Sequence, residues 1–192
     1  MNATVEHARE ILLHPKQEWL VIEKEPTSVG DLYRNYIAPL AAIGPVAAII
    51  GLSVFGVRIP IVGRYRIPFG TALMSGIARW VLALIGIFVL AVIIDALAPN
   101  FSGQRSRIQA LKLAAYASTA IWCAGIFTLI PVLAFLSVLG LYSLYLLYCG
   151  VPVLMKVPQE KTALYTLVVV VSAVVIFLLI GLIAGAFVPA PG

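Results

Sequence analysis

Two ionisable side chains lie within long apolar stretches, where a charge is costly and often functional. They are Arg79 and Asp95, and sixteen helical residues place them about 24 Å apart along the axis. They cannot pair with each other, so each needs another partner. Arg105, Arg107 and Lys112 follow Asp95 in the chain. We predict a charge pair between Asp95 and Lys112 that joins two helices, and a proton or cation relay is the alternative.

Four arginines lie in a stretch of sequence that contains no acidic residue. Cations without a counter-charge attract anions, and lipid phosphates are the anions available at a membrane surface. We therefore predict a site for an anionic lipid or another phosphate-bearing ligand. The alternative is that these side chains reach the headgroups individually. The residues are Arg58, Arg64, Arg66 and Arg79.

Hydroxyl groups recur in two neighbouring apolar stretches. Three tyrosines at a spacing of three residues share one broad face of a helix. A proline in the same stretch frees a backbone carbonyl. We predict a polar cavity between two helices, and hydrogen bonds across tightly packed helices are the alternative. The candidate lining residues are Tyr116, Ser118, Thr119, Tyr142, Tyr145, Tyr148 and Pro152.

Metal and catalytic signatures are weak. His7 and His14 fall on one side of a helix with Glu10 between them, but this ligand set is incomplete and Pro15 follows the second histidine. No serine, histidine and acidic residue are expected at the same depth in the membrane, as a catalytic set would require. No glycine-rich loop resembles a phosphate-binding loop. We predict no metal, no cofactor and no enzymatic activity.

The elements that position these residues follow from composition. Of 192 residues, 62% are apolar and 11% are charged. Soluble domains are roughly 45–50% apolar and about 25% charged. This excludes a soluble enzyme and a disordered chain. The net charge of +5 is too small and scattered for nucleic-acid binding. The sequence predicts an integral membrane protein without a cleavable signal peptide, because its first 36 residues lack an apolar run.

The apolar runs predict an all-α membrane protein, a bundle of five transmembrane helices with short N-terminal amphipathic helices. Residues 1–36 form the N-terminal region and residues 37–188 the membrane domain. One helix through Pro131 would be too long for a single crossing, so we predict two antiparallel helices there. A short hairpin centred on Gly63 joins the first two spans. The spans are about 37–57, 71–97, 113–130, 134–155 and 163–188.

The N-terminal region is expected to hold two helices that break at His14 and Pro15, since proline suits the first helical position. Trp19 on the second helix suits the headgroup layer, and a solvated surface helix is the alternative. Ser28 or Asp31 caps the run that enters the membrane.

Orientation follows from the basic residues. With a cytosolic N-terminus and five spans, nine of the 13 Lys and Arg residues lie on the inner side and four lie outside. The positive-inside rule favours this topology. We expect an inner-membrane protein with its C-terminus outside.

Several sequence blocks together resemble the YIP family, named for proteins that interact with Ypt/Rab GTPases, in its bacterial branch. They are Pro15, Trp19, residues 36–40, Tyr116, Ser118, Pro131, residues 140–152 and residues 155–161. The resemblance implies five spans and a cytosolic N-terminus. Eukaryotic members are associated with Golgi and ER trafficking and with Rab-type GTPases, and they carry Asp-Leu-Tyr-Gly-Pro before the membrane. Here Arg34 and Asn35 replace the Gly-Pro of that motif.

These features favour a non-enzymatic membrane scaffold that binds a protein partner through its cytosolic N-terminal face. Membrane lipids are further expected partners, and a homo-oligomer is considered. A small transporter or channel with a path between spans three and four is one alternative. An anionic-lipid-binding protein is another.

Overall fold

The N-terminal region folds as two short helices. In the computed structural model, which describes residues 3–59 and 63–186, these are α1 (Ala3–Leu13) and α2 (Pro15–Lys24). They are separated at His14, as the sequence predicts, because Pro15 lacks an amide hydrogen and begins a new helix. We refer to α1 and α2 together as the cap.

A continuous helical segment follows from Val29 to Phe55. It begins well before the predicted start at residue 37, because Ser28 caps it and accepts a hydrogen bond from the Asp31 amide at 3.1 Å. Two prolines interrupt the regular hydrogen-bond pattern within it. Its parts are α3 (Val29–Leu32), a π-helical turn (Tyr33–Ile37), α4 (Ala38–Ala41), α5 (Ile43–Ile50) and a second π-helical turn (Gly51–Phe55).

A two-stranded antiparallel hairpin comes next, formed by β1 (Val57–Ile59) and β2 (Gly63–Tyr65). Val57 pairs with Tyr65 and Ile59 pairs with Gly63. The pairing is symmetric about residue 61, so the predicted centre at Gly63 is wrong and this glycine lies in the second strand. The connecting residues 60–62 lie outside the described residues.

The rest of the described chain forms helices joined by short non-helical connections. Four segments are long and apolar enough to cross a membrane, and we number them spans one to four: Val29–Phe55, Phe69–Phe101, Arg107–Leu129 and Val132–Leu154. Their main helices are α6 (Phe69–Leu97), α7 (Arg107–Ala117), α8 (Thr119–Ala124) and α9 (Tyr142–Leu154), with 3-10 segments at Ala98–Phe101, Gly125–Leu129 and Pro131–Leu141. The last helix, α10 (Gln159–Ala186), has 28 residues and overlaps the predicted fifth span. Residues 187–192 lie outside the described residues, and the five-span count stays a prediction.

The chain turns back between spans three and four at Ile130, as predicted for Pro131. Ile130 is extended, with φ −115° and ψ 108°. A proline clashes with a helical residue before it, so Pro131 ends the preceding helix. The segment therefore forms two antiparallel helices, because a single helix of this length would be too long for one crossing of the bilayer.

Span three lies at the centre of the bundle. In the most apolar 18 residues of span three, 61% are buried, whereas 17% to 33% are buried in the corresponding stretches of the other three spans. The outer spans thus direct apolar side chains outward, as a lipid environment requires. Spans one and three approach closely at Gly44 and Gly125. A Cβ on Gly125 would lie 2.7 Å from the Gly44 Cα, so only glycine fits there.

The bundle has two distinct ends. The cap packs on the end where the connector between spans two and three meets the end of span four, and the Gln104 amide donates to the Met155 carbonyl there at 2.8 Å. We call this the capped end. The hairpin of β1 and β2 lies at the opposite end, which we call the hairpin end.

Candidate functional site

Trp19 anchors the cap. Its side chain is fully buried. The indole occupies the space above Gly150, where a Cβ would lie 2.7 Å from Trp19 Cε2. It also meets the Tyr116 ring edge-on, with 6.3 Å between centroids. The expected position of Trp19 in the headgroup layer is therefore wrong, because the bundle itself encloses the indole.

Lys112 binds the C-terminal end of α2. Its buried ammonium donates to the carbonyls of Ile22 at 2.7 Å and Glu25 at 2.5 Å. The last carbonyls of a helix lack intrahelical partners, and a cation there also complements the helix dipole. The Gln109 amide adds a bond to the Glu23 carbonyl at 3.0 Å. Lys112 thus caps α2, and the predicted Asp95–Lys112 pair is wrong.

Asp95 pairs instead with Arg105, which lies on the connector before α7. Arg105 Nε and Nη2 donate to Asp95 Oδ2 at 3.2 Å and 3.1 Å. Asp95 Oδ1 is buried and has no hydrogen-bond partner among the residues that the structure describes. Arg105 was one of the three basic residues within reach in the sequence, and another of them, Lys112, is directed towards α2 instead.

His7 joins the two helices of the cap. Its Nδ1 lies 2.5 Å from Glu18 Oε1 and its Nε2 lies 3.4 Å from Glu25 Oε2. The other histidine, His14, faces Glu10 one turn away at 2.9 Å on the surface. The two histidines therefore have separate roles. Within residues 3–59 and 63–186, no group of three or more His, Cys, Asp and Glu residues is placed to hold a metal ion.

A polar cavity of about 250 Å³ lies between α1, residues 25–36 and Tyr116 of span three. Tyr36 and Thr119 share a hydrogen bond of 2.7 Å below it, and the Tyr36 and Tyr116 rings lie 4.2 Å apart. We call this space the cap cavity. Its polar lining includes Thr4, His7, Glu25, Asp31, Asn35, Tyr36 and Tyr116.

Three of the predicted cavity-lining residues lie on span three. Tyr116 and Thr119 are buried, and Tyr116 lines the cap cavity. Ser118 donates to the Ala114 carbonyl of its own helix at 2.8 Å. This bond is intrahelical, so Ser118 satisfies its hydroxyl without a neighbouring helix.

The tyrosines of α9 face outward, so the predicted set does not line one cavity. Tyr142 and Tyr145 are exposed and stack with centroids 5.4 Å apart, and the Tyr142 hydroxyl donates to the Leu12 carbonyl at 3.2 Å. Tyr148 and Pro152 line a second cavity of about 360 Å³, between α2, α9 and α10. The spacing of three placed the tyrosines on one face, but it did not say which way that face points.

Three of the four predicted phosphate-binding arginines, Arg58, Arg64 and Arg66, belong to the hairpin end, and Arg79 lies ten residues into α6. Arg66 and Arg79 are exposed. Arg58 and Arg64 are Cα partners across the strand pair, and their side chains lie outside what the structure describes. Arg79 and Asp95 lie towards opposite ends of α6, as their spacing requires. A lipid site at these arginines stays a prediction.

Glu18 and Glu25 are functional candidates that the sequence did not single out. The buried face of α2 consists of Pro15, Glu18, Trp19 and Ile22, at helical spacing. An acidic residue on an otherwise apolar helical face was the available signal. A buried carboxylate needs a partner, and here the partner is His7.

The spans and the docked cap define a polytopic helical membrane protein with a folded N-terminal region. The profile of the Yip1 domain matches residues 9–182, from within α1 to near the end of α10, and the chain belongs to this family. The resemblance seen in the sequence is thereby confirmed.

Two relatives extend this finding. The "Inner membrane protein YohC" of Escherichia coli strain K12 is 24% identical over 159 residues, which cover 81% of this chain and 82% of the relative. The protein of the same name from Escherichia coli O6:H1 matches with the same identity and coverage. No solved structure matches the chain.

Proposed function

We propose that the protein is a non-enzymatic scaffold of the inner membrane that binds a protein partner through its cap. In this proposal five spans cross the bilayer and the cap lies in the cytosol. The distribution of basic residues supports this orientation. The relative in Escherichia coli carries the name of an inner membrane protein, which supports the same membrane.

The observation that carries the proposal is the outward face of the cap. Four large apolar side chains there are 50% to 58% exposed, although the opposite face of the same helices is buried on the bundle. In the proposed topology the cap lies outside the bilayer, where exposed apolar side chains mark an interaction site. These residues are Val5, Leu13, Leu20 and Val21.

The cap also holds this face in a fixed position. The cap is held on the bundle by the contacts of Trp19 and Lys112. Its two helices are held together by the His7–Glu18 contact. A surface that is ordered before binding loses less entropy when a partner docks. The arrangement therefore suits a docking platform more than a flexible tail.

The test is site-specific photo-crosslinking in living cells. A benzoylphenylalanine at Leu20 or Val21 should give one protein adduct of discrete mass, whereas the same group at the exposed polar position Arg66, at the hairpin end, should give no protein adduct. An adduct of twice the chain mass would identify the partner as a second copy. Adducts with lipid only, or equal adducts at all three positions, would contradict the proposal.

A second candidate function is transport, which the cap cavity favours. His7 lies there between two carboxylates, beside Tyr36 and Tyr116, and such groups can pass protons. Proteoliposomes with an internal pH-sensitive dye test this candidate. Proton flux that disappears in His7→Ala would support it, and no flux above protein-free vesicles would exclude proton transport.

A further inference from the structure

A lateral cavity of about 490 Å³ opens beside α6 at the capped end. Phe88 and Val92 on its wall are more than half exposed, and both point away from the bundle. Phe88, Val92 and Asp95 follow one another at intervals of one turn, so they lie along one face of the helix. An apolar groove on the outside of the bundle thus ends at a carboxylate.

The polar end of this cavity is not electrically balanced. Asp95, Arg105 and Arg107 line it together, which gives one carboxylate and two guanidinium groups. Arg105 uses its Nε and Nη2 on Asp95, and its side chain is 61% exposed. Arg107 is also exposed. The excess positive charge favours an anion, and guanidinium groups suit phosphate geometry.

Asp95 supplies the second recognition element. Its side chain is only 8% exposed, and Oδ1 has no partner among the described residues. Asp95 lines the cavity, and a ligand that brings a hydrogen-bond donor to its carboxylate is stabilised. A ligand that fits this site therefore carries one anionic group, at least one hydrogen-bond donor and an apolar chain.

We propose that this cavity binds an anionic phospholipid with a hydroxyl-bearing headgroup, of the phosphatidylglycerol type. The phosphate contacts Arg105 and Arg107, and a glycerol hydroxyl donates to the Asp95 carboxylate. An acyl chain lies along Phe88 and Val92. The site lies at the opposite end of the bundle from the predicted arginine cluster, and it does not depend on partner binding by the cap.

The test compares four lipids with identical acyl chains by native mass spectrometry of the full chain. Phosphatidylglycerol has both the net charge and the hydroxyl donors. Phosphatidic acid keeps the net negative charge but lacks the glycerol headgroup. Phosphatidylethanolamine has N–H donors but no net charge. Phosphatidylcholine has neither a headgroup donor nor a net charge. Phosphatidylglycerol should be retained most strongly and phosphatidylcholine least. Equal retention of all four would overturn the proposal.

A variant at Arg107, the first residue of α7, locates the site. Arg107→Gln should weaken phosphatidylglycerol binding about tenfold, since it removes a charge-assisted contact. Lys161→Gln is the matched control, because Lys161 is an exposed cation at the same end of the bundle that does not line the cavity, and it should change nothing. Unchanged binding in Arg107→Gln, or equal losses in both variants, would overturn the assignment.

Asp95→Leu should abolish the preference for phosphatidylglycerol over phosphatidic acid. If this variant does not fold, the comparison of the two lipids on the wild-type chain tests the same point. Glycerophosphate separates a lipid from a free phosphate. It should fail to displace the lipid at millimolar concentration, and complete displacement would show that the site takes a soluble phosphate compound.

Discussion

At the scale of single residues, Trp19 is the contact on which docking of the cap depends most. Its side chain is the largest of the fully buried ones. The indole fills the space beside Gly150, which is open because glycine has no side chain. Truncation of a buried Trp removes a large apolar area and leaves a cavity.

Trp19→Ala should lower the free energy of unfolding by about 3 kcal/mol. Chemical unfolding in mixed micelles, followed by circular dichroism, measures it. Leu20→Ala is the control on the same helix, because Leu20 is half exposed, and its effect should stay within about 0.5 kcal/mol. Equal losses in the two variants would show that the indole is not buried as described.

Gly150→Ala tests the same contact from the other side. The new methyl group would meet Trp19 and Leu113 at less than 3.0 Å, and overpacking of this kind costs about 1–3 kcal/mol. In the Trp19→Ala background part of the clash disappears, so the cost of Gly150→Ala should fall. A double-mutant cycle measures this coupling, and strictly additive effects would contradict the contact.

At the scale of elements, Lys112 connects span three to the C-terminal end of α2. Lys112→Met keeps the apolar stem but leaves the Ile22 and Glu25 carbonyls without their donor. We expect a loss of about 2 kcal/mol, since hydrogen bonds to charged groups are worth about 1.5–3 kcal/mol. Hydrogen exchange at the last turn of α2 measures it.

The control for this change is Lys161→Met. Among the described residues the Lys161 ammonium donates to the exposed Ser102 hydroxyl alone, at 2.8 Å, so its loss should be small. A loss in Lys161→Met as large as in Lys112→Met would mean that any ammonium at the capped end contributes equally.

Local chemistry predicted several elements correctly. The breaks at His14 and at Pro131 follow from the missing amide hydrogen of proline and from its clash with the preceding residue. The Ser28 cap follows from a side chain that can accept the Asp31 amide hydrogen. Each of these depends on residues within one turn of the chain.

Features that depend on packing were not predictable in the same way. The burial of Trp19 is decided by Gly150, which lies far away in the sequence. Asp95 had three basic residues within reach, and only the packed structure shows that Lys112 turns to α2 and that Arg105 binds Asp95. The tyrosines of α9 shared a face as predicted, but the direction of a helical face is a tertiary property.

At the scale of the whole molecule, the proposed topology places the two termini on opposite sides of the membrane. Alkaline phosphatase fused after Gly192 should be active, and a fluorescent protein fused before Met1 should fluoresce, because each folds only on its own side. Nine basic residues on the inner side support this outcome. A fluorescent C-terminal fusion would instead indicate an even number of crossings.

Hydrogen–deuterium exchange of the full chain in lipid nanodiscs tests most directly whether the cap is a docked part of the bundle. The amides of α2 should be protected to an extent comparable with those of α9, and Trp19→Ala should remove this protection while α9 keeps its own. Complete exchange of α2 within seconds in the wild-type protein would contradict docking of the cap.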